Sequence, residues 1–335
     1  MHATHAIFDA TRSATARAAT ATVAALACAF PLAAAAQDYP SRPVRIVLGF
    51  APGGVADLTS RLLAQQLGER LGQPFLVDNR PGAGGIIAAE TVAKSAPDGY
   101  TLLLITNGNA AAVTLMKSLP YDPVKDFAMV APLASFDLVI VTGKNSQINS
   151  IKDILNLART SPQKLNLGSI NIGSTQHLAT ELFRAQAGVP MNAVTYKGTP
   201  ALVAALQGDE VQVGFEVLGP VLTQITGGAL RAVVVTGAKR FEALPNVPTA
   251  LESGMPQYNV SAWNGVAAPG RTPRAIINRL NAEINAAIAR PEVRKRMAEL
   301  AVIPTGGTPE DMTKLLASEI RRWGEVVTQA KIERQ

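Results

Sequence analysis

Two glycine-rich turns are the places in this sequence where side chains and bare main chain could do chemistry. The first, Phe50 to Asp57 (FAPGGVAD), follows the β-branched run Val44 to Leu48 and precedes leucines at helical spacing. Pro52 fixes φ, and the two glycines permit positive φ, so several N–H groups can face one small anion at a helix start. A carboxylate or phosphate would suit such a site. A tight turn in which Asp57 only caps the helix explains the same residues equally well.

The second turn, Ser169 to His177 (SINIGSTQH), follows the short apolar run Leu165 to Ser169 and precedes another helical pattern. Ser174 or Thr175 can cap that helix and present a hydroxyl beside main-chain N–H groups. His177 with Ser174 as nucleophile would suggest a hydrolase. The two residues are only three apart, no acidic partner is evident, and G-x-S-x-G is absent. We therefore expect His177 to anchor the turn.

The N-terminal leader, residues 1–36, limits which thiol and metal chemistry the mature chain can perform. Residues 1–36 carry two arginines, an alanine-rich apolar stretch and small residues before Gln37, which predicts a secretory signal cleaved after Ala36 and an exported protein. Cys28, the only cysteine, lies in that leader. A lipid anchor there stays open, although Ala25 stands where leucine is usual. Two of the three histidines also leave, so we expect no thiolate chemistry, no metal site and no cofactor.

Composition narrows the class of partner. The chain has 335 residues, 47% hydrophobic and 17% charged, which indicates roughly two folded domains. The net charge of +6 is scattered and only 5% of residues are aromatic, so nucleic acid is not expected as a partner. Mild positive charge suits anionic small molecules, but a solvated surface explains it as well. Neither glycine turn matches G-x-G-x-x-G, which leaves a nicotinamide-dependent oxidoreductase as a weaker alternative.

The elements that position the turns alternate between strand and helix. Apolar runs at 44–48, 74–78 and 100–106 predict right-handed βαβ units and a parallel sheet, with ligands outside the carboxyl ends of the strands. Phe50 to Asp57, Arg80 to Gly85 and Thr106 to Asn109 should therefore share one rim. A new strand set begins at Asp137, and its strands end at Ser169, at Tyr196 and before Glu216.

C-terminal helices follow Thr272-Pro273 and Thr308-Pro309, and their apolar stripes predict core packing. Two strand-helix halves then face one cleft, with hinge crossings near Ser135 to Leu138 and Asn259 to Asn264. We expect Trp263 to pack at that hinge. The predicted boundaries are a signal peptide at 1–36, a first lobe of 37–137 plus 261–335, and a second lobe of 138–260.

The order of motifs resembles one family, the periplasmic solute-binding proteins of tripartite tricarboxylate transporters, also called Bug proteins. The matching segments run from about Tyr39 to Trp323 and include GFAPGG, LGQPFLVDNRPGAGG, APDGYTLLLITNG, LPYDPVKDF, STQHLATELF, ALPNVPTALESGMP and SAWNGVAAPGRTP. The resemblance implies an α/β type II periplasmic-binding fold whose two lobes close on a ligand without chemistry.

The resemblance also implies a site and partners. In the family, main-chain N–H groups, hydroxyls and bridging waters hold a ligand carboxylate. Carried onto this sequence, the ligand-binding candidates are Phe50, Ala51, Gly53, Gly54, Asp57, Asn107, Ser169, Gly173, Ser174, Thr175, Tyr196 and Lys197. The implied partners are a small carboxylate and the permease subunits of the transporter, and the receptor is expected as a monomer. Glu216 stands where aspartate is frequent, which leaves the ligand's identity open. A sensor or scavenging receptor would share the same sequence features.

Overall fold

The structure is a computed structural model that describes residues 39–329 and 332–334. The predicted signal peptide, its cleavage after Ala36 and Cys28 lie outside the described residues. Within the described part, no helix combines the length and apolarity needed to cross a membrane.

Ten described strands form one mixed sheet, in the order β2-β1-β3-β9-β4-β7-β5-β6, with β8 and β10 also paired to β4. The strands are β1 Val44–Leu48, β2 Phe75–Asn79, β3 Thr101–Thr106, β4 Phe127–Gly143, β5 Asn166–Ile170, β6 Asn192–Tyr196, β7 Val213–Val217, β8 Leu230–Val235, β9 Ser261–Pro269 and β10 Ile303–Pro304.

The two ends of the sheet are parallel, as the alternating pattern predicts. β1 pairs with β2 and β3, and β5 pairs with β6 and β7, all in parallel. β1 occupies the predicted bounds, and its Val44, Ile46, Val47 and Leu48 are fully buried, which explains why Arg45 is its only polar residue. The carboxyl ends of these strands lie at the elbows that the sequence singles out.

The middle of the sheet is antiparallel, which corrects the prediction of a parallel sheet. β9 pairs antiparallel with β3 and β4, and β4 also pairs antiparallel with β7 and β8. The sequence also predicts a new strand starting at Asp137, whereas β4 runs unbroken for 17 residues. Register shifts on either side of Ala131 accommodate Pro132 inside the strand, because a bulge removes the need for a ladder donor.

Ten described helices connect and cover the strands. They are α1 Val55–Leu71, α2 Ile86–Ala93, α3 Asn107–Leu115, α4 Ile151–Thr160, α5 Thr175–Ala187, α6 Thr199–Gln207, α7 Leu218–Thr226, α8 Arg274–Ala289, α9 Pro291–Glu299 and α10 Pro309–Gln329. The apolar stripes predicted as core in α8 and α10 are buried at Ile277, Leu280, Met312 and Trp323.

The segment after β3, which the sequence identifies only as a strand end, is the start of a helix. Thr106 caps α3 by accepting from the Gly108 N–H, and the Asn109 side chain accepts from the Thr106 N–H. This reciprocal capping box satisfies donors that would otherwise be orphaned, so Asn107 and Asn109 begin a helix.

Candidate binding site

The first elbow, defined as Phe50 to Asp57, joins β1 to α1 through a left-handed glycine. Gly53 has φ of +90°, and its N–H donates to Asp57 Oδ2 at 3.1 Å. Asn79 donates to Asp57 Oδ1 at 2.9 Å and to the Phe50 carbonyl at 3.0 Å. The hydrogen bonds of Asp57 and Asn79 therefore fix the shape of the elbow.

Asp57 is ionised although it is buried. Burial raises its pKa, but hydrogen bonds from Arg61, Asn79 and the Gly53 N–H outweigh that penalty and leave the pKa below its ordinary value. Arg61 Nε lies 3.0 Å from Asp57 Oδ2. Because its oxygens accept from these donors, Asp57 acts as an anchor of the elbow.

The second elbow, defined as Ser169 to His177, repeats this geometry. Gly173 has φ of +84°, and its N–H donates to His177 Nδ1 at 3.3 Å. Burial lowers the pKa of His177, and the accepting Nδ1 identifies a neutral imidazole protonated on Nε2. His177 thus anchors the second elbow as predicted, in the position that Asp57 holds in the first.

A narrow cavity lies between the two elbows. Among the described residues its lining carries no charged side chain. The lining residues are Phe50, Ala51, Pro52, Gly54, Val55, Ala56, Thr106, Phe136, Ile170, Asn171, Thr175, Gln176, Gly198, Thr199, Val217 and Trp263.

Five helix N-termini converge on this cavity. α1, α3, α6 and α7 have their N-cap residue in the lining, and α5 has its first residue there. The residues concerned are Gly54, Thr106, Thr175, Gly198 and Val217. Each N-terminus carries a partial positive charge and main-chain donors without intrahelical acceptors, so the cavity suits an anion although no cation lines it.

The N-termini differ in whether their own residues satisfy the donors. The Ser174 hydroxyl accepts from the His177 N–H at 3.1 Å and donates to the Ile170 carbonyl. Gly54, the N-cap of α1, offers no side-chain cap, and Gly198 offers none to α6. The first turn of α1 therefore keeps N–H groups for a ligand, while the second elbow uses one of its own internally.

Unpartnered buried donors also belong to lining residues. Asn171 Nδ2 and Trp263 Nε1 are buried and have no hydrogen-bond partner among the described residues. Asn171 has φ of +37°, a left-handed conformation that asparagine tolerates better than most residues. Buried donors normally have partners, so these two are candidates for contacts to a ligand.

The structure places four of the predicted site residues in the lining. These are Phe50, Ala51 and Gly54 from the first elbow and Thr175 from the second. Gly53 is exposed and Asp57 lies behind the elbow. Gly173 and Ser174 hold the second elbow through the contacts described above, and neither lines the cavity.

The remaining predicted site residues lie outside the lining. Asn107 is fully buried, donates to Glu319 Oε2 at 3.1 Å and accepts from the Trp263 N–H at 2.7 Å. Ser169 is buried behind the wall, and Lys197 is exposed to solvent. Tyr196 packs on the edge of an apolar cluster.

Four of the sixteen lining residues were candidates from the sequence, and the other twelve were not. Thr199 and Val217 lie at the starts of helices that follow the strand ends predicted at 196 and before 216, and Gln176 lies in the second elbow, which follows the strand end predicted at 169. Phe136 and Trp263 come from β4 and β9, where Ser135 pairs with Trp263. Trp263 therefore lies on β9 beside Ser135 of β4 and forms part of the wall.

Beside the cavity, three glycines bring the main chain of three segments together. A Cβ built on Gly108 would lie 2.9 Å from the Gly173 carbonyl oxygen and 3.0 Å from that of Gly84. A Cβ on Gly84 would lie 2.7 Å from the Ile172 carbonyl oxygen. Only residues without side chains allow the second elbow to contact the start of α3 and the turn before α2 this closely.

Comparisons with known proteins support the same kind of site. The family described as "Tripartite tricarboxylate transporter family receptor" matches residues 59–332. The chain is 37% identical to Protein BugT of Bordetella pertussis, over 89% of this chain and 93% of that protein.

Two solved structures carry ligands in their descriptions. "R. palustris Rpa4515 with adipate" has a TM-score of 0.84 and 36% identity, covering 88% of this chain and 99% of that one. "MatC (Rpa3494) from Rhodopseudomonas palustris with bound malate" has a TM-score of 0.82 and 32% identity, covering 86% and 100%. The predicted α/β fold of periplasmic binding proteins is confirmed by these likenesses.

Proposed function

Because the chain belongs to the tripartite tricarboxylate transporter family of receptors, we propose that its cavity binds one small organic carboxylate for delivery to a membrane permease. The family consists of solute-binding receptors, so this chain is one of them. Related receptors have been solved with adipate and with malate, which supports a carboxylate as the ligand class.

One observation carries the proposal. The cavity is surrounded by five helix N-termini and, among the described residues, lined by no charged side chain. Main-chain dipoles are rigid and need no reorganisation, so they can hold a desolvated carboxylate without a countercharge. We propose that the N–H groups of Gly54, Val55 and Ala56 bind one carboxylate end, with Asn171 and the hydroxyls of Thr175 and Thr199 completing the contacts.

Binding would couple to closure of the molecule. The predicted lobes, 37–137 with 261–335 and 138–260, each contribute one elbow, and β4 and β9 run side by side at the predicted crossings. A ligand that touches both elbows stabilises the state in which they meet, and the permease would recognise that state. We propose that the receptor acts as a monomer in the periplasm, after removal of residues 1–36, and leaves its ligand chemically unchanged.

A thermal-shift panel tests the proposal. Adipate, malate, succinate and citrate are compared with adipamide and succinamide, which keep the carbon skeleton but lose the charge. At least one carboxylate should raise Tm, because a ligand at a hundred times its Kd adds about 2.7 kcal/mol to the free energy of unfolding. Neither diamide should do so. Stabilisation by a nicotinamide cofactor with no response to any carboxylate would contradict the proposal.

A further inference from the structure

The wall of the cavity contains one polar side chain whose orientation is fixed by a buried acid. Gln176, in the first turn of α5, lines the cavity and is largely buried. Its Nε2 donates to Glu216 Oε1 at 2.6 Å. Glu216 is the next-to-last residue of β7, is completely buried and does not itself line the cavity.

The main-chain N–H of Val217 determines which atom of the Gln176 amide faces Glu216. The Val217 N–H donates to the same Glu216 Oε1 at 2.7 Å, so that oxygen acts as an acceptor. Gln176 must therefore turn its amide nitrogen toward it, because two acceptors cannot face each other at this distance. This orientation belongs to the ionised acid and to a neutral Glu216 protonated on Oε2, the oxygen that has no hydrogen-bond partner among the described residues.

The amide oxygen of Gln176, Oε1, is then available to a ligand in the cavity. No side-chain or main-chain group among the described residues donates to Gln176 Oε1. A carbonyl oxygen in the wall repels a carboxylate oxygen and attracts a hydrogen-bond donor. The contacts proposed above for the carboxylate are all donors, so Gln176 Oε1 adds an acceptor to a wall that otherwise donates.

We propose that Gln176, held by Glu216, selects organic acids that carry a hydrogen-bond donor, either a hydroxyl or an ammonium group, beside their carboxylates. Gln176 contacts the ligand directly, and Glu216 is a positioning residue that acts through it. This inference rests on the proposed carboxylate receptor and deepens it by naming the ligand class.

Two matched series of acids test the inference by isothermal titration calorimetry. The first series is succinate, malate and aspartate, and the second is glutarate, 2-hydroxyglutarate and glutamate. Within each series only the substituent at carbon 2 changes. The substituted acid should bind about tenfold tighter than the plain one, the factor that one hydrogen bond of ordinary strength supplies. The hydroxyl and ammonium arms separate the two donor types.

Three variants assign the preference to the proposed residues. Gln176→Leu should bring the ratio of Kd values to about one while plain acids still bind. Glu216→Gln should keep the ratio, because its Oε1 can still accept from Val217 and Gln176. Gln186→Leu is the matched control, since Gln186 lies exposed on the same helix.

The outcomes separate the two proposals. If carboxylates bind and wild type does not distinguish substituted from plain acids, or if Gln176→Leu leaves the ratio unchanged, the role of Gln176 is wrong and the receptor function stands. If no acid of the thermal-shift panel or of either series binds, the receptor function itself fails.

Discussion

The two elbows share one backbone design and differ in the side chain that anchors them and in the residue that caps the helix. In each, a left-handed glycine donates its N–H to a side chain four residues later, Gly53 to Asp57 and Gly173 to His177. The N-cap between them is Gly54 in the first elbow and Ser174 in the second. The serine satisfies one N–H of its own helix, whereas the glycine leaves the corresponding N–H of α1 unsatisfied. Similar turns can therefore serve a ligand or serve the fold, depending on the cap.

The largest effect should come from removing one main-chain donor of the first elbow. Val55→Pro deletes the N–H at the first position of α1, where proline is well tolerated, and Gly54 is already extended with ψ of 171°. We expect carboxylate binding to weaken by about 1.5–3 kcal/mol with little change in Tm, because hydrogen bonds to charged groups are strong. Titration calorimetry measures the loss.

The matched control is Val55→Ala, which shortens the same side chain and keeps the N–H. If both variants bind equally well, the first elbow does not hold the ligand through its main chain.

Asp57, the anchor of the first elbow, should make the free energy of unfolding depend on pH. Asp57→Asn should lower the free energy of unfolding by about 1–3 kcal/mol at neutral pH, because it loses charged hydrogen bonds to Arg61 and Gly53. The native pKa of Asp57 lies below its ordinary value, so its stabilisation is complete above the unfolded pKa of about 3.9 and is lost as the pH falls through the lower native pKa. Urea unfolding at about pH 5 and about pH 3 measures the difference between variant and wild type.

Asp153→Asn is the control for this experiment, since Asp153 accepts from the Asn149 N–H in the same way at the start of α4 but lies nearer the surface. Asp153→Asn should lower the free energy of unfolding by less than Asp57→Asn does. A difference between Asp57→Asn and wild type that grows toward pH 3 would contradict the assignment.

The close approach of Gly108 to the Gly173 carbonyl oxygen allows a test of whether the second elbow serves as a packing surface. Gly108→Ala places a methyl group 2.9 Å from the Gly173 carbonyl oxygen, and the helical backbone there accepts alanine. We expect closure to be impaired and ligand affinity to fall by about 1–2 kcal/mol, the usual cost of overpacking. Gly68→Ala in α1 is the control, because its Cβ would lie at an ordinary 3.6 Å from its nearest neighbour. Equal affinity in both variants would show that the contact is loose.

Changing the N-cap residues Gly54 and Ser174 should give the smallest effects. The change at Gly54 should lower ligand affinity, whereas the change at Ser174 should lower stability. Gly54→Ser installs a hydroxyl that can accept from the Ala56 N–H, one of the proposed ligand contacts, so affinity should fall by about 1 kcal/mol while stability rises slightly. A Cβ there meets only Thr199 Oγ1, at 3.9 Å. Ser174→Ala should lower stability by about 1 kcal/mol and leave Kd unchanged. A change of Kd in Ser174→Ala alone would reverse the comparison.

Sequence reasoning recovers the strand-to-helix turns because their chemistry is local. β1 lies at its predicted bounds, and the glycines that require positive φ lie where the pattern places them. The same reasoning could not show that Gly54 lines the cavity and Ser174 does not. Whether a hydroxyl faces a ligand or its own helix depends on side-chain geometry that residue type does not encode.

The far wall of the cavity was harder to predict. α6 and α7 have only nine residues each, and both begin near a proline, so their periodicity is weak and their N-termini were not foreseen. Phe136 and Trp263 reach the cavity through antiparallel pairing of β4 with β9, a contact between segments more than 120 residues apart that no local pattern reveals.

A crystal structure of the protein with bound malate or adipate would test the central claim most directly. The account predicts a carboxylate oxygen within hydrogen-bond distance, about 2.7–3.2 Å, of the main-chain nitrogen of Val55 or Ala56, and no lysine or arginine side chain at that distance. A carboxylate paired with a charged side chain, or lying away from the first turn of α1, would contradict it.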